Sequence, residues 1–448
     1  MPQSAGDALS AVHSSVARQA HGSRLFAPLS PPDRLKGSLS AAGSHYYSAG
    51  RQMGSVVIKA GHVQPVWAGH PWVFAQAIQR IEGGAAPGDE MVVLDGRGNT
   101  LGRGLYSPNS AIPVRLFTRD ATTPIDGALF ASRIERALER RKELGLPSAA
   151  TNAVRLVHAE GDDLPGLVID QLGDVVAVQM GTIGLKRREG VILDLITRLL
   201  KPRAIIDRTP LTHAKTEGFT PTHGVVRGDT TLDAFDFVER GLKFHIPFSL
   251  GHKTGFYVDQ RPLRARIEEL ARGRRVLDTY SFVGAVALSA ARGGAKEVHA
   301  VDASAPALEV AAECAALNGL SERMVFERAD AVEVLNQAGR KGGYDLVICD
   351  PPKLAPSRAA RDRALVNMRK LAASGCRATR PGGLLVVCSC SAAIGINELT
   401  RAVALGARDV GAHALVLERF FQGPDHPVPA AFPEGLYLCS LLVEVVTS

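Results

Sequence analysis

From residue 274 onward the chain repeats one pattern, a short run of apolar residues followed by a longer amphipathic stretch. The runs at 275–279, 297–302, 324–328, 344–350 and 384–389 predict strands, and the stretches at 283–291, 305–318, 331–338, 357–378 and 397–404 predict helices. Apolar strands separated by amphipathic helices suit a parallel sheet covered on both faces, because each strand is then buried on two sides. The last two runs, 414–421 and 436–447, have no helix between them and predict an antiparallel hairpin closing the sheet edge.

Upstream the periodicity changes. Residues 153–160, 166–170, 174–179, 204–207 and 231–247 are β-rich pieces around one helical stretch at 185–200. Between 55 and 120, β-like runs at 56–59, 90–94 and 112–117 alternate with turn clusters such as Pro87-Gly88-Asp89 and Asp95-Gly96-Arg97-Gly98-Asn99, the pattern of a small β module. The stretch 133–142 is helical, with charges largely at exposed helical positions, and reads as a connector with a solvated face. The first 52 residues are rich in Ser, Ala and Gly and lack a periodic apolar pattern. They read as a disordered extension, with Met53 beginning the folded protein, although their Arg/Ser bias also resembles a transit peptide. The expected order is an extension (1–52), a β module (53–122), a helical connector (123–150), a central α/β domain (151–247) and an α/β domain (248–448).

Composition narrows the class. A chain of 448 residues, 46% hydrophobic and 22% charged, should be globular and hold two or three cores. No apolar run reaches the roughly 18 residues of a membrane span, so a soluble protein with no membrane partner is expected. The formal charge of +7 leans toward a polyanionic partner, but the first 52 residues supply +3 of it and the remaining bias is mild. Cysteines stand at 314, 349, 376, 388, 390 and 439, with no Cys-x-x-Cys pair and no His at ligand spacing. Neither a disulfide scaffold nor a metal centre is indicated, and a reducing cytoplasm is the natural setting.

Ligands of open α/β sheets bind at the carboxyl ends of the strands, and here acids recur there. Asp278 ends the first strand, Asp302 the second, Asp330 follows the third and Asp350 the fourth. Four carboxylates suit a pyrophosphate poorly. They suit a ligand with hydroxyls, an exocyclic amine and a positive charge, which S-adenosylmethionine is. The loop Asp278-Thr279-Tyr280-Ser281-Phe282-Val283-Gly284 holds one glycine where a dinucleotide fingerprint needs three, and Gly284 would let a nucleoside approach the helix start. Any single acid could instead cap a helix; the ordered set is harder to explain that way.

Asp350-Pro351-Pro352-Lys353 is more specific. Two prolines at a strand end fix an extended turn without free N–H groups, so the carboxylate and carbonyls face the cleft. Amine-directed methyltransferases carry an aromatic residue after the proline pair, where this chain has Lys353. Cys390, at the end of the fifth strand, supplies the thiol that cytosine chemistry needs, since C5 accepts a methyl group only after a thiolate adds to C6. Alternation places Cys388 and Cys390 on one face, so pattern alone does not choose between them; the loop position favours Cys390.

At these residues the chain resembles the PUA-domain-containing class I methyltransferases that make 5-methylcytosine in large-subunit ribosomal RNA. The likeness runs through Gly69-His70-Pro71-Trp72-Val73-Phe74, residues 159–167 (Ala-Glu-Gly-Asp-Asp-Leu-Pro-Gly-Leu), residues 251–261, Asp350 to Lys353, Ser389-Cys390-Ser391 and residues 425–438. It departs at Ala392-Ala393 and at Leu354. The resemblance implies a Rossmann-like methyltransferase domain behind a small β-barrel PUA domain and a central α/β domain. It implies that Phe256, Tyr257 and Gln260 wall the cofactor site, that Asp302 holds the ribose, and that Asp330 faces the adenine. Asp278, Ser281 and Gly284 complete the cofactor loop. Cys390 would be the nucleophile, Asp350 its base-binding partner, and Pro351, Pro352 and Lys353 the substrate turn. RNA of the large ribosomal subunit is the implied partner; a homodimer stays open. Two rivals also remain: methylation of another base position without covalent catalysis, and a non-catalytic RNA-binding assembly factor.

Overall fold

The computed structural model describes residues 53–250, 254–354 and 360–447. The extension expected over 1–52, the Gly251-His252-Lys253 segment and the start of the helix expected at 357 lie outside the described residues.

Six strands form the first sheet: β1 (Gly54–Ile58), β2 (Trp72–Val73), β3 (Ile78–Glu82), β4 (Glu90–Leu94), β5 (Thr100–Tyr106) and β6 (Val114–Thr118), in the order β2-β6-β5-β4-β1-β3. Only β1 and β4 run parallel. Sequence pattern shows β1, β4 and β6 but not the two-residue β2 or the mostly exposed β3, which lack a buried periodic face.

The central sheet, in the order β11-β10-β9-β8-β7, comprises β7 (Ala153–His158), β8 (Leu167–Leu172), β9 (Val175–Met180), β10 (Ala204–Asp207) and β11 (Gly224–Gly228). The helix expected over 185–200 is two, Ile183–Lys186 and Glu189–Leu200. The chain breaks at Arg187 and Arg188, whose guanidiniums reach Asp89 at 2.7 Å and Glu90 at 3.2 Å on the first module. The pair of strands β12 (Ala234–Glu239) and β13 (Leu242–Pro247) forms a separate hairpin.

The connector helix, Gly127–Glu143, corrects a second expectation. Its charges are not all solvated. Arg133 is buried against the carbonyls of Phe117 and Asp163. Arg141 is fully buried and forms two 2.7 Å hydrogen bonds with the equally buried Asp162. It also donates to Arg155 O at 2.8 Å and Asp425 O at 2.6 Å. Helical charge patterns show which face a residue takes, but not whether another segment covers that face.

The carboxyl-terminal sheet has seven strands, in the order β16-β15-β14-β17-β18-β20-β19. They are β14 (Arg275–Thr279), β15 (Glu297–Asp302), β16 (Met324–Arg328), β17 (Tyr344–Cys349), β18 (Thr379–Ser389), β19 (Ala412–Phe421) and β20 (Cys439–Thr447). The first five are parallel, and the expected terminal hairpin is present with β20 inserted antiparallel between β18 and β19. Alternate residues feed two cores. Val276, Ile348, Val386 and Cys388 face one, and Leu277, Val347, Cys349 and Val387 face the other. The first of these cores also takes in Leu172 and Val175 of the central sheet and Phe235, Phe237 and Phe244 of the hairpin, so the central and carboxyl-terminal parts share one apolar interior.

Removing one partner of a buried ion pair leaves the other charge desolvated, which costs about 3–5 kcal/mol. Arg141→Ala should therefore lower the free energy of unfolding by about that amount, read from the urea midpoint; an unchanged midpoint would contradict the packing described.

Candidate active site

The strand order reverses between β14 and β17, and such a switch point leaves a crevice at the carboxyl ends of the two strands. The two ends are tied together. Thr279 Oγ1 donates to Ile348 O at 2.7 Å, and Asp350 N approaches Thr279 O at 3.5 Å. Asp350 thus stands where the crevice opens, and Asp302 and Asp330 follow along neighbouring strand ends.

The acids differ in what they do. Asp302 accepts from Phe282 N and Ser304 N, both at 2.8 Å, so it holds the cofactor loop against the second strand. Asp330 is exposed and caps the helix Ala331–Arg340 through Val332 N and Glu333 N, at 2.9 and 3.0 Å. Asp278 is only 1% exposed and accepts from Ala287 N at 3.0 Å. Burial, then the charges of Asp350 and Asp302, push its carboxyl well above the usual carboxylate range, against the pull of that backbone donor. It anchors the helix Ala285–Arg292 through that bond.

The loop above Asp278 is strained. Tyr280 and Phe282 adopt left-handed φ values of 62° and 51°, which side chains other than glycine rarely take, and Gly284 follows at 70°. A Cβ on Gly284 would lie 3.1 Å from the Ala311 methyl, so glycine serves both the turn and the close packing. Ser281 Oγ is buried and has no hydrogen-bond partner among the described residues. A nucleoside supplies the polar groups that such a loop lacks, and the adjacent Asp302 suits ribose hydroxyls, so the residues present fit S-adenosylmethionine.

Phe256 and Tyr257 part company. Phe256 is buried in an aromatic cluster, with ring centroids 4.9 Å from Phe237 and 5.0 Å from Phe244 and with Arg264 over its face. Its ring is enclosed in the core directly before Tyr257. Tyr257 turns the other way and packs edge-on to Phe282 at 5.6 Å. Burial, then the charges of Asp350 and Cys390, raise its hydroxyl above the ordinary phenol range. Gln260, at the mouth of the helix Arg261–Leu270, donates Nε2 to Asp350 Oδ2 at 2.8 Å. Pro351 is buried, whereas Pro352 and Lys353 are exposed at the rim.

Burial separates the two thiols that sequence pattern left level. Cys388 is fully buried, and burial, then the Asp350 charge, push its thiol well above the ordinary value. Burial likewise raises Cys349 and Cys439 to about 12 and Cys314 and Cys376 to about 11. Only Cys390 is half-buried, and it follows directly on β18, the strand beside β17. Two participants had no sequence signal pointing to them. Tyr437 donates to Asp259 Oδ2 at 2.6 Å, fixing the turn that presents Gln260. Tyr280, raised to about 12 by burial and then by Cys349 and Asp330, packs partly buried against the core that holds Leu277 and Cys349. Only their membership in the motif at 425–438 and in the first-strand loop could have drawn attention to them.

A seven-stranded sheet of this order, with a nucleoside loop and acids across its switch point, defines an S-adenosylmethionine-dependent methyltransferase. The family model of that description matches residues 223–436, and a PUA-like domain matches residues 56–119. Ribosomal RNA large subunit methyltransferase I of Alteromonas mediterranea is 36% identical over 84% of this chain and 95% of its own length. Its namesake in Pseudoalteromonas translucida is 33% identical over 87% and 99%. The chain belongs to the ribosomal RNA large subunit methyltransferase I family. Among solved structures, SMU.776, described as a methyltransferase complexed with SAH, shares the fold with a TM-score of 0.77 at 18% identity, covering 88% of this chain and 100% of that one. Among the described residues no helix is long and apolar enough to cross a membrane.

Thiol reactivity follows exposure and ionisation, so iodoacetamide at pH 8 should label Cys390 roughly tenfold faster than any other cysteine of the native protein. Peptide mass spectrometry reads the order, and equal labelling of Cys388 would overturn the assignment.

Proposed function

We propose that the protein transfers a methyl group from S-adenosylmethionine to C5 of a cytosine in large-subunit ribosomal RNA, through a transient bond between Cys390 Sγ and C6. The observation that carries the proposal is the half-buried Cys390 just past the end of β18, one strand from the Asp350 that follows β17 and accepts from Gln260, while every other cysteine is buried. The names of the relatives and the PUA-like domain support ribosomal RNA as substrate.

In this account Asp302 and Ser281 hold the cofactor's ribose side, Tyr257 encloses it, and Asp330 lies toward the adenine. When bound, the cofactor supplies an electrophilic methyl group. Asp350, oriented by Gln260, donates in its protonated form to N3 and accepts from the N4 amine, so the negative charge that thiolate addition places on the ring is taken up at N3. The Pro351-Pro352 turn presents that carboxylate, and Lys353 at the rim offers a cation to RNA phosphate. Addition of the Cys390 thiolate to C6 makes C5 nucleophilic. After methylation a water molecule takes the C5 proton, the C–H electron pair re-forms the C5–C6 double bond, and the Sγ–C6 bond breaks to regenerate the thiolate. A paired target must first be unstacked, because C6 is not accessible to a thiol inside a duplex.

Cys390→Ala should reduce formation of 5-methylcytosine to background in nucleoside digests of ribosomal RNA treated with the purified protein. Cys388→Ser should keep most of it, and Asp350→Asn should lose roughly 100- to 1,000-fold. Full 5-methylcytosine formation by Cys390→Ala would refute covalent catalysis.

A further inference from the structure

Three long motifs carry no part of the chemistry above, namely those at 69–74, 159–167 and 425–438. They come from three parts of the chain, yet they converge on one cavity of about 180 Å3. Trp72 of the first module, Glu160 of the central part, and Phe432, Glu434 and Tyr437 of the segment between β19 and β20 line it.

The construction of this cavity is specific. Trp72 Nε1 donates to Glu160 Oε1 at 2.7 Å, and the Trp72 and Phe432 rings meet edge-on at 4.6 Å. His70 Nε2 lies 3.2 Å from Glu434 Oε2, bracing the opposite wall. The floor is a strained turn, with Ala159 and Asp163 at φ values of 41° and 56°. A Cβ on Gly161 would sit 2.0 Å from Pro427 O, so the turn and the 425–438 segment are pressed together. Strain of this kind persists only where the surroundings enforce it, and it gathers at binding and catalytic sites.

The volume is below the roughly 300–1,000 Å3 of pockets for drug-sized ligands and suits one flat ring system. Aromatic walls with a carboxylate at their edge match an unstacked base, whose faces stack and whose amine hydrogens need acceptors. Burial raises the Glu160 carboxyl, opposed by the Trp72 indole, so a further donor would stabilise it. The cavity also borders the active site. Tyr437 lines it and bonds Asp259, the neighbour of Gln260, and Cys439 pairs in register with Ser389 beside Cys390.

We propose that this cavity is a second base-binding site, which takes an unstacked nucleobase bearing amine donors, guanine above all, from the RNA strand beside the methylated nucleotide. Guanine offers N1–H and N2–H side by side to a carboxylate, whereas uracil offers one donor between two acceptors. The proposal rests on RNA being the substrate, and it does not depend on which atom is methylated.

The chain has two tryptophans, and Trp67 is 77% exposed, so Trp67→Phe leaves Trp72 as the sole indole reporter. This full-length variant, saturated with S-adenosylhomocysteine to fill the cofactor site, would be titrated with the pentanucleotides AGCGA and AUCUA. AGCGA should quench Trp72 saturably and bind roughly 5- to 100-fold more tightly, the range for one bidentate contact. Glu160→Gln keeps an oxygen for the indole and should erase that preference. Phe432→Leu, with unchanged circular dichroism, should weaken AGCGA alone. Equal binding of the two RNAs, or a preference that survives Glu160→Gln, would overturn the proposal. Since the readout is binding, failure of the cytosine-C5 chemistry would leave this result unaffected and show only in the nucleoside digests.

Discussion

The architecture hangs on a buried set of arginine–carboxylate contacts centred on Arg141, Asp162 and Asp425. Arg141 and Asp162 are sealed from solvent, and Asp425 is equally buried. Asp425 Oδ2 accepts from Arg155 N at 3.1 Å and from Arg261 Nη2 at 3.2 Å, while its carbonyl takes Arg141. The connector helix, the central sheet, the helix that begins at Arg261 and the segment before β20 thus meet on a few desolvated charges. Arg141 spends its donors on the Asp162 carboxylate and on the carbonyls of Arg155 and Asp425, which is the condition under which buried charge is tolerated. Burial raises the Asp425 carboxyl, but His426 and Arg261 outweigh it and hold the group well below the usual range.

Catalytic geometry follows from that lattice. Arg261 is fixed at the start of its helix, so the preceding residues Tyr257, Asp259 and Gln260 are fixed as well. Gln260 then positions Asp350, and Tyr437 steadies Asp259 from the far side. The parallel sheet supplies the other half of the site, because its switch point brings the ends of β14 and β17 together, with Cys390 one strand further on. The first module joins through Arg188 and Glu90 and through Trp72 and Glu160, which ties the PUA-like domain to the central part by polar contacts.

Much of the catalytic sheet was legible in the sequence because its strands are buried on both faces and read as apolar runs. The small β module was less so, since β2 spans two residues and β3 is largely exposed. The ordered acids and the proline turn pointed to the crevice, but not to the division of labour among them. Asp278 anchors a helix and Phe256 belongs to the core, both through burial by distant segments, while the exposed Asp330 caps the helix that follows it. Left-handed conformations at Tyr280 and Phe282 leave no trace in residue type. Period-two alternation could not part Cys388 from Cys390, whereas the insertion of β20, which covers Cys388 with Ser440, does so.

The central claim is that Cys390 bonds to a cytosine in RNA during methyl transfer. Fluorine at C5 cannot leave as a proton does, so an adduct formed on 5-fluorocytosine persists. Incubating the protein and S-adenosylmethionine with ribosomal RNA containing 5-fluorocytidine should give a denaturation-stable complex, with a modified nucleotide on Cys390 after digestion. Methyl transfer to unsubstituted RNA with no such complex, or a nucleotide found on any other residue, would contradict the account.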